Sequence, residues 1–397
     1  MSDLERIRQA AAAGILRIPT AAAPSFVDLA AAVLRCAGAP LPPSPHSAAI
    51  EELLGAPRHL IFVLVDGMGS YMLDELPATG AVRSGLRMEL DAVFPATTAC
   101  AMTTLATAVW PGEHGVPGWY GYLAERDLAT VVLKFEERFG KRPLSELGVQ
   151  PQELWPLQPA MADATRDVQV ILPAEIAHSP YSRYQTGGRQ VVPYPGLAEI
   201  PDLLAARVQA PGPAFTYCYL PEFDALAHEH GALAEQPLAA VGAIDGILSR
   251  LAASLPDDVR LLISADHGLL DVEERRVTRI ESGSGLMSLL RTAPCGEPRT
   301  PHLFVRDGAL DDVRDHLAAT AREDFAFVTQ AEAEELGLFG PAALSEFARS
   351  RFGDLVGVAL QPATLELQQP LPAGKKAQRG RHGGMAPAEV RVPLSLH

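Results

Sequence analysis

Four short motifs carry the side chains that could do chemistry, and all of their donors are oxygen or nitrogen. Asp66-Gly67, Asp224-Ala-Leu-Ala-His228, Asp266-His267-Gly268 and Arg379-Gly-Arg-His382-Gly-Gly combine carboxylates with imidazoles and contain no thiolate. Such a set suits divalent cations of the zinc type, and manganese is also compatible. Asp224 and His228 are spaced i, i+4, which on a helix puts both on one face and lets them bind the same ion. Asp266 and His267 are adjacent and cannot share a helix face, but a tight turn before Gly268 can present both. Taken singly, each motif has an ordinary explanation: a strand-ending Asp-Gly is usually a turn, and a lone histidine among C-terminal glycines is usually solvated. His230, two residues past His228, would point elsewhere and reads as surface or as support behind the ligands.

A nucleophile candidate lies in segment 93–107, Val-Phe-Pro-Ala-Thr-Thr-Ala-Cys-Ala-Met-Thr-Thr-Leu-Ala-Thr. Thr97 and Thr98 precede an alanine-rich helical run, so one reading makes them helix caps. The other sets one hydroxyl on a bound ion, where it loses its proton and attacks phosphorus. The helix N-terminus beneath it would then help to hold phosphate oxygens.

These motifs need elements that bring them together. Segments 59–65, 214–220 and 260–264 are short, continuous apolar runs rich in β-branched and aromatic residues. Such runs suit strands buried on both faces of a parallel sheet. Between the last two, segment 238–255 carries Ile244, Ile247, Leu248 and Leu251 at helical spacing and stops at Pro256. Strand, helix, strand predicts a right-handed crossover. Each strand then ends at a candidate ligand, and carboxyl ends of parallel strands converge on the crevice where α/β proteins bind substrates. Residues 1–56 read as helical and alanine-rich, with a break near Pro40 to Pro45. The stretches at about 120–205 and 275–375 are less regular and read as insertions over the sheet edge that form a cap. The expected architecture is a single α/β domain over 1–397, with a mainly parallel central sheet flanked by helices.

Composition narrows the function classes. Of 397 residues, 48% are apolar and 20% charged, the balance of a globular protein. The formal net charge of −15 would repel a nucleic-acid polymer. An acidic protein that handles phosphates must concentrate positive charge locally, and bound cations do that. Cys36, Cys100, Cys218 and Cys295 form no C-x-x-C pair, so neither a disulfide framework nor a cysteine metal site is expected. No run reaches the length of a membrane span, and no clean signal-peptide core forms near the N-terminus. A cytoplasmic protein acting on a small phosphorylated molecule is the expectation.

The ordered set Asp66, Phe-Pro-x-Thr-Thr98, Glu113-His114-Gly115, Asp224-x-x-x-His228, Asp266-His267-Gly268 and His382-Gly-Gly resembles the alkaline phosphatase superfamily. It looks most like the nucleotide pyrophosphatase/phosphodiesterase branch, and the matching motifs run from about residue 60 to 395. The resemblance implies an alkaline phosphatase-like fold and a zinc pair. Asp224, His228 and His382 would hold one ion, and Asp66, Asp266 and His267 the other, with Thr98 reaching toward them. It further implies attack by Thr98 on a nucleotide or other phosphodiester, giving a phospho-threonine that water hydrolyses. Two departures bear on the substrate. Trp119 fills the slot where that branch usually has a phosphate-binding Asn, with Tyr120 or Tyr122 as substitute donors. No Lys or Arg lies between Thr98 and Arg126, which disfavours dianionic monoesters and mildly favours monoanionic diesters. A phosphomonoesterase or phosphonate hydrolase on the same scaffold would keep every ligand. A sulfatase is not expected, because Cys100-Ala-Met lacks the sequence context needed to mature a catalytic residue. A metal-binding interaction protein with a dead site is the alternative of another class. Arg183, Tyr184 and His302 are further pocket candidates, each also readable as surface or packing.

Overall fold

The computed structural model describes residues 1–370 and 377–397. Residues 371–375 of the second expected insertion lie outside the described residues. The N-terminal region is helical as expected: α1 (Asp3–Ala12), α2 (Phe26–Cys36) and α3 (Pro45–Leu54). Each starts at a serine, Ser2, Ser25 or Ser44, whose hydroxyl accepts an N–H of the first turn.

The central sheet has seven strands: β1 (His59–Val65), β2 (Leu86–Asp91), β3 (Asp167–Pro173), β4 (Gln190–Tyr194), β5 (Ala214–Leu220), β6 (Val259–Ser264) and β7 (Arg391–Leu396). Their spatial order is β2-β7-β6-β1-β5-β3-β4. β6, β1, β5, β3 and β4 run parallel, whereas β7 is antiparallel to both β6 and β2. β1 and β5 are buried at every position, which is why they read as unbroken apolar runs rather than alternating ones. Each fully buried Val, Leu or Ile stabilises such a sheet by roughly 1.5–3 kcal/mol before entropy is counted.

Two helices follow strands at the functional edge, α4 (Thr98–Thr107) after β2 and α5 (Glu222–His230) after β5, and α6 (Glu235–Ala252) follows α5. α6 buries Val241, Ile244, Leu248 and Leu251, and with α5 it completes the crossover from β5 to β6. It ends at Ala252 rather than 255, since the residue before a proline disfavours helical backbone.

The expected insertion at about 120–205 needs correction. Asp167–Pro173 and Gln190–Tyr194 are β3 and β4 of the central sheet, not part of a cap. β4 contains Pro193, which breaks the strand pattern in sequence but is tolerated because β4 is an edge strand. Strands Tyr120–Leu123, Leu128–Val131 and Glu136–Glu137 join Cys295–Glu297, Thr300–Leu303, Phe325–Thr329 and Leu355–Ala359 in a second, antiparallel seven-stranded sheet. The two irregular regions of the sequence therefore build one element. Among the described residues no helix is long and apolar enough to cross a membrane.

Candidate active site

Every predicted ligand arrives at the carboxyl edge of the central sheet. Asp66 leaves β1 with its N–H still bonded to the Leu220 carbonyl of β5, at 2.9 Å. Gly67 follows at φ +73°, and a Cβ there would lie 3.0 Å from Asp224 Oδ1 and 2.7 Å from Leu269. Only glycine lets the β1 turn come so close to the start of α5. Asp266 lies two residues past β6 and accepts the Gly67 and His267 N–H groups through Oδ1, both at 3.1 Å. α5 presents Asp224 and His228 on one face, with Oδ2 and Nε2 3.3 Å apart. His382 completes the ring, its Nε2 3.1 Å from His228 Nε2.

Two donor groups emerge, each with ligand atoms within 4.8 Å of one another: Asp66, Asp266 and His267, and Asp224, His267 and His382. His267 thus faces both groups, where the sequence reading assigned it to one. The imidazole of His228 donates Nδ1–H to the Gly380 carbonyl at 2.7 Å, and that of His267 to the Gly268 carbonyl at 3.1 Å. A carbonyl only accepts, so these bonds fix the tautomers and turn each Nε2 lone pair into the cluster.

The donors fit cations. Among the described residues, buried oxygens of Asp66 (Oδ1), Asp224 (Oδ1) and Asp266 (Oδ2) have no hydrogen-bond partner. Burial first, then the charges of Asp266 and Asp224, holds the Asp66 carboxyl well above the usual carboxylate range. Burial pushes the Asp266 carboxyl up to about 7, and Asp224 adds to it. Burial, then His267 and His228, holds His382 far below the usual imidazole range. Asp66 and Asp266, which resist ionising, beside imidazole nitrogens turned inward are an arrangement that divalent cations relieve.

Thr98 stands among them. Its Oγ1 is 3.2 Å from His267 Nε2 and 3.5 Å from Asp66 Oδ2. Thr97 occupies the N-cap position of α4 but does not cap it. Its hydroxyl donates instead to Glu297 Oε1 at 2.7 Å, and the same oxygen accepts the Trp119 N–H at 2.7 Å. The first N–H groups of α4 are therefore left without a side-chain cap beside Thr98, an arrangement that can accept the oxygens of an anion. Burial lifts the Glu297 carboxyl to about 7, against the pull of those two bonds.

Sequence reasoning missed Glu297 and Tyr219. Tyr219 projects from β5 and donates to Asp66 Oδ2; its place one residue before the strand end was the available signal. Glu297 lies on a strand of the second sheet, and nothing in its local sequence marks it. Other candidates sit elsewhere. His114 is fully buried, accepts the Val116 N–H at 3.1 Å and meets Thr104 Oγ1 at 3.2 Å, while Glu113 caps the Trp110 N–H at 3.2 Å. That motif is a structural turn. His302 bonds the Phe352 carbonyl in the core, Tyr184 stacks on Trp155, and Arg183 is exposed. Tyr122 donates to Asp127 at 2.6 Å, and the Tyr120 ring lies under the Arg138 guanidinium.

A mainly parallel α/β sheet whose carboxyl edge gathers carboxylates and imidazoles around a threonine hydroxyl agrees with what the family match shows, a phosphoric ester hydrolase. The chain belongs to the type I phosphodiesterase / nucleotide pyrophosphatase family, whose model matches residues 60–385, and so to that branch of the alkaline phosphatase superfamily. Among solved structures it is similar to murine ectonucleotide pyrophosphatase / phosphodiesterase 5, with a TM-score of 0.62 at 18% identity, covering 85% of this chain and 87% of that one. An inactive threonine-to-alanine variant of the murine protein in complex with AMP aligns with a TM-score of 0.61 at 18% identity and the same coverage. The human protein gives 0.62 at 16% identity, again over 85% and 87%. These likenesses are of fold. No curated protein matches the chain in sequence.

Proposed function

We propose that the protein hydrolyses a monoanionic phosphodiester or a nucleotide pyrophosphate bond through a phospho-threonine at Thr98, with two divalent ions, zinc foremost. The observation that carries this reading is the placement of Thr98 Oγ1, 3.2 Å from His267 Nε2, beside three carboxylates whose buried oxygens find no partner among the described residues. Asp66, Asp266 and His267 would hold one ion and Asp224, His228 and His382 the other. Ions bound there supply Lewis acidity that lowers the pKa of a coordinated hydroxyl and offsets phosphoryl charge. Thr98 Oγ1 bonds to phosphorus as the bond to the leaving oxygen breaks in line, and hydrolysis of the phospho-threonine restores the hydroxyl. The uncapped turn of α4 orients the phosphoryl oxygens, and Tyr219 holds Asp66 by its Oδ2.

The diester preference rests on charge. No Lys or Arg lies between Thr98 and Arg126, and the one buried ionisable group bonded to Thr97 is an acid, Glu297. That setting is poorer for a dianion than for a monoanion. A phosphomonoesterase or phosphonate hydrolase with the same donors is the second reading. A cytoplasmic setting belongs to the same proposal, and the free state of all four cysteines is compatible with it.

The test compares bis-nitrophenyl phosphate with nitrophenyl phosphate for the wild type and Thr98→Ala, with zinc and after chelation. Diester turnover lost with Thr98 or with the metal is the expected result. Faster monoester turnover would move the protein to the second reading, and absence of metal-dependent turnover on either would refute the mechanism.

A further inference from the structure

The loops that carry His267 and His382 are held by a residue pair that takes no part in the chemistry. Arg299 and Glu389 are 1% and 0% exposed and form a forked ion pair, Nε to Oε1 at 2.6 Å and Nη2 to Oε2 at 2.9 Å. Glu389 uses the same oxygens on the His382 loop: Oε1 accepts the Gly384 N–H at 2.8 Å and Oε2 the Ala386 N–H at 3.1 Å. Its backbone carbonyl accepts the Gly268 N–H at 2.8 Å, one residue after His267. Arg299 Nη1 anchors the assembly to the Gln361 and Ala363 carbonyls, both at 3.0 Å. The next residue, Thr300, donates from Oγ1 to the Gly383 carbonyl at 2.5 Å.

The fit leaves the His382 loop little freedom. Gly383 has φ +106°, and a Cβ on it would come within 2.6 Å of Glu297 Cβ; one on Gly384 would lie 2.6 Å from Glu389 Oε2. A buried ion pair is weak evidence of stabilisation, since desolvating both charges offsets their attraction. What this pair does achieve is to fasten two ligand-bearing loops of the central sheet to one turn of the second sheet.

We propose that Arg299, acting through Glu389, and Thr300 are positioning residues that fix His382 against Asp224 and His228 and so set the affinity of one ion of the pair. The inference rests on the two-ion reading given above. The Asp66 and Asp266 carboxylates hang from the ends of β1 and β6; His267, which faces both donor groups, is tied to the main chain of Glu389 through Gly268, whereas Thr300 bonds to Gly383 beside His382.

Metal-free wild type, Thr300→Val, Thr300→Ser and Arg299→Lys are titrated with zinc against a chromophoric chelator, with circular dichroism and thermal melts as checks on folding. The wild type is expected to take two ions. Thr300→Val should weaken one of them by roughly 10–100-fold, the range for loss of support behind a ligand, and leave the other unchanged. Thr300→Ser should restore wild-type binding. Arg299→Lys should weaken that ion most and the other to a lesser degree, because an ammonium cannot reproduce the fork that holds Glu389 against both loops; if that variant does not fold, Thr300→Val decides. Folded Thr300→Val with both ions at wild-type affinity overturns the proposal, and so does equal weakening of both. A wild type that takes up no divalent ion overturns the two-ion reading itself, and this inference falls with it.

Discussion

The two edges of the central sheet both gather charged side chains, and they treat them in opposite ways. At the amino edge Arg58 pairs with Asp258 at 2.7 Å and donates to the Ala210 and Val208 carbonyls. Arg166 donates to the carbonyls of Pro57 and Arg58, and Arg207 reaches Asp167 at 2.7 Å and Thr216 Oγ1 at 3.1 Å. Among the described residues Nδ1 of His59 has no partner there, and burial keeps that ring neutral at ordinary pH by pulling it down to about 4. At the carboxyl edge Asp66, Asp224 and Asp266 each keep a buried oxygen that has no partner among the described residues. Stability alone does not arrange charge that way. One edge finishes the fold; the other is held open for something that is not protein.

That contrast predicts opposite responses to neutralising one acid at each edge. Asp66→Asn should cost activity on the order of 10³-fold or more, as loss of a metal-site donor does. It should nevertheless raise the stability of the metal-free protein by ~1–2 kcal/mol, the size of a typical stability–activity trade-off. Turnover and denaturant midpoints on the same preparation check both; a metal-free Asp66→Asn less stable than wild type would show that the carboxylates are not in conflict.

A somewhat smaller effect follows from pH. An acid whose folded value is raised stabilises the fold below its unfolded value and loses that contribution as pH rises through the folded one. For Asp266 the window runs from about 4 to about 7. Cations bound to the ionised form reverse the loss, so the stability gap between zinc-loaded and metal-free protein should widen across this window by on the order of 2–4 kcal/mol. Melting curves with and without chelator would record it, and a gap independent of pH would contradict the assignment of these acids to the ions.

The carboxyl edge was the more legible of the two in sequence, for a physical reason. A parallel strand buried on both faces must be an apolar run, so β1, β5 and most of β6 stand out, and whatever follows each run lies at one edge. Asp66, Asp224, His228, Asp266 and His267 were found from that rule, with Thr98 and His382 supplied by the order of motifs. β3 and β4 escaped it because a polar start and Pro193 break their runs, and β7 because its direction depends on partners distant in sequence. Glu297 meets Thr97 across 200 residues, and Arg299 meets Glu389 across 90. Such contacts are set by how one sheet docks on another, which no local pattern encodes. Thr97 shows the same limit: cap position follows from local sequence, whereas the diversion of its hydroxyl follows from the second sheet.

At the amino edge the expected effects are smaller and leave turnover untouched. His59 is a base whose folded value is lowered, so its contribution is lost as pH falls from the ordinary value near 6.5 through about 4, the reverse of Asp266. His59→Gln keeps a donor toward Thr216 and cannot charge. Relative to wild type it should therefore gain ~1 kcal/mol at about pH 5 over its value at about pH 7, after allowance for solvent screening. The smallest change is Asp167→Asn, which removes the half of the Arg207 pair that is 55% exposed. Exposed pairs contribute about 0–1 kcal/mol, and Arg207 keeps the Asp167 carbonyl and Thr216 as acceptors. A shift beyond ~1 kcal/mol, or any change in kcat, would mean that the amino edge is not the finished, purely structural counterpart of the carboxyl edge.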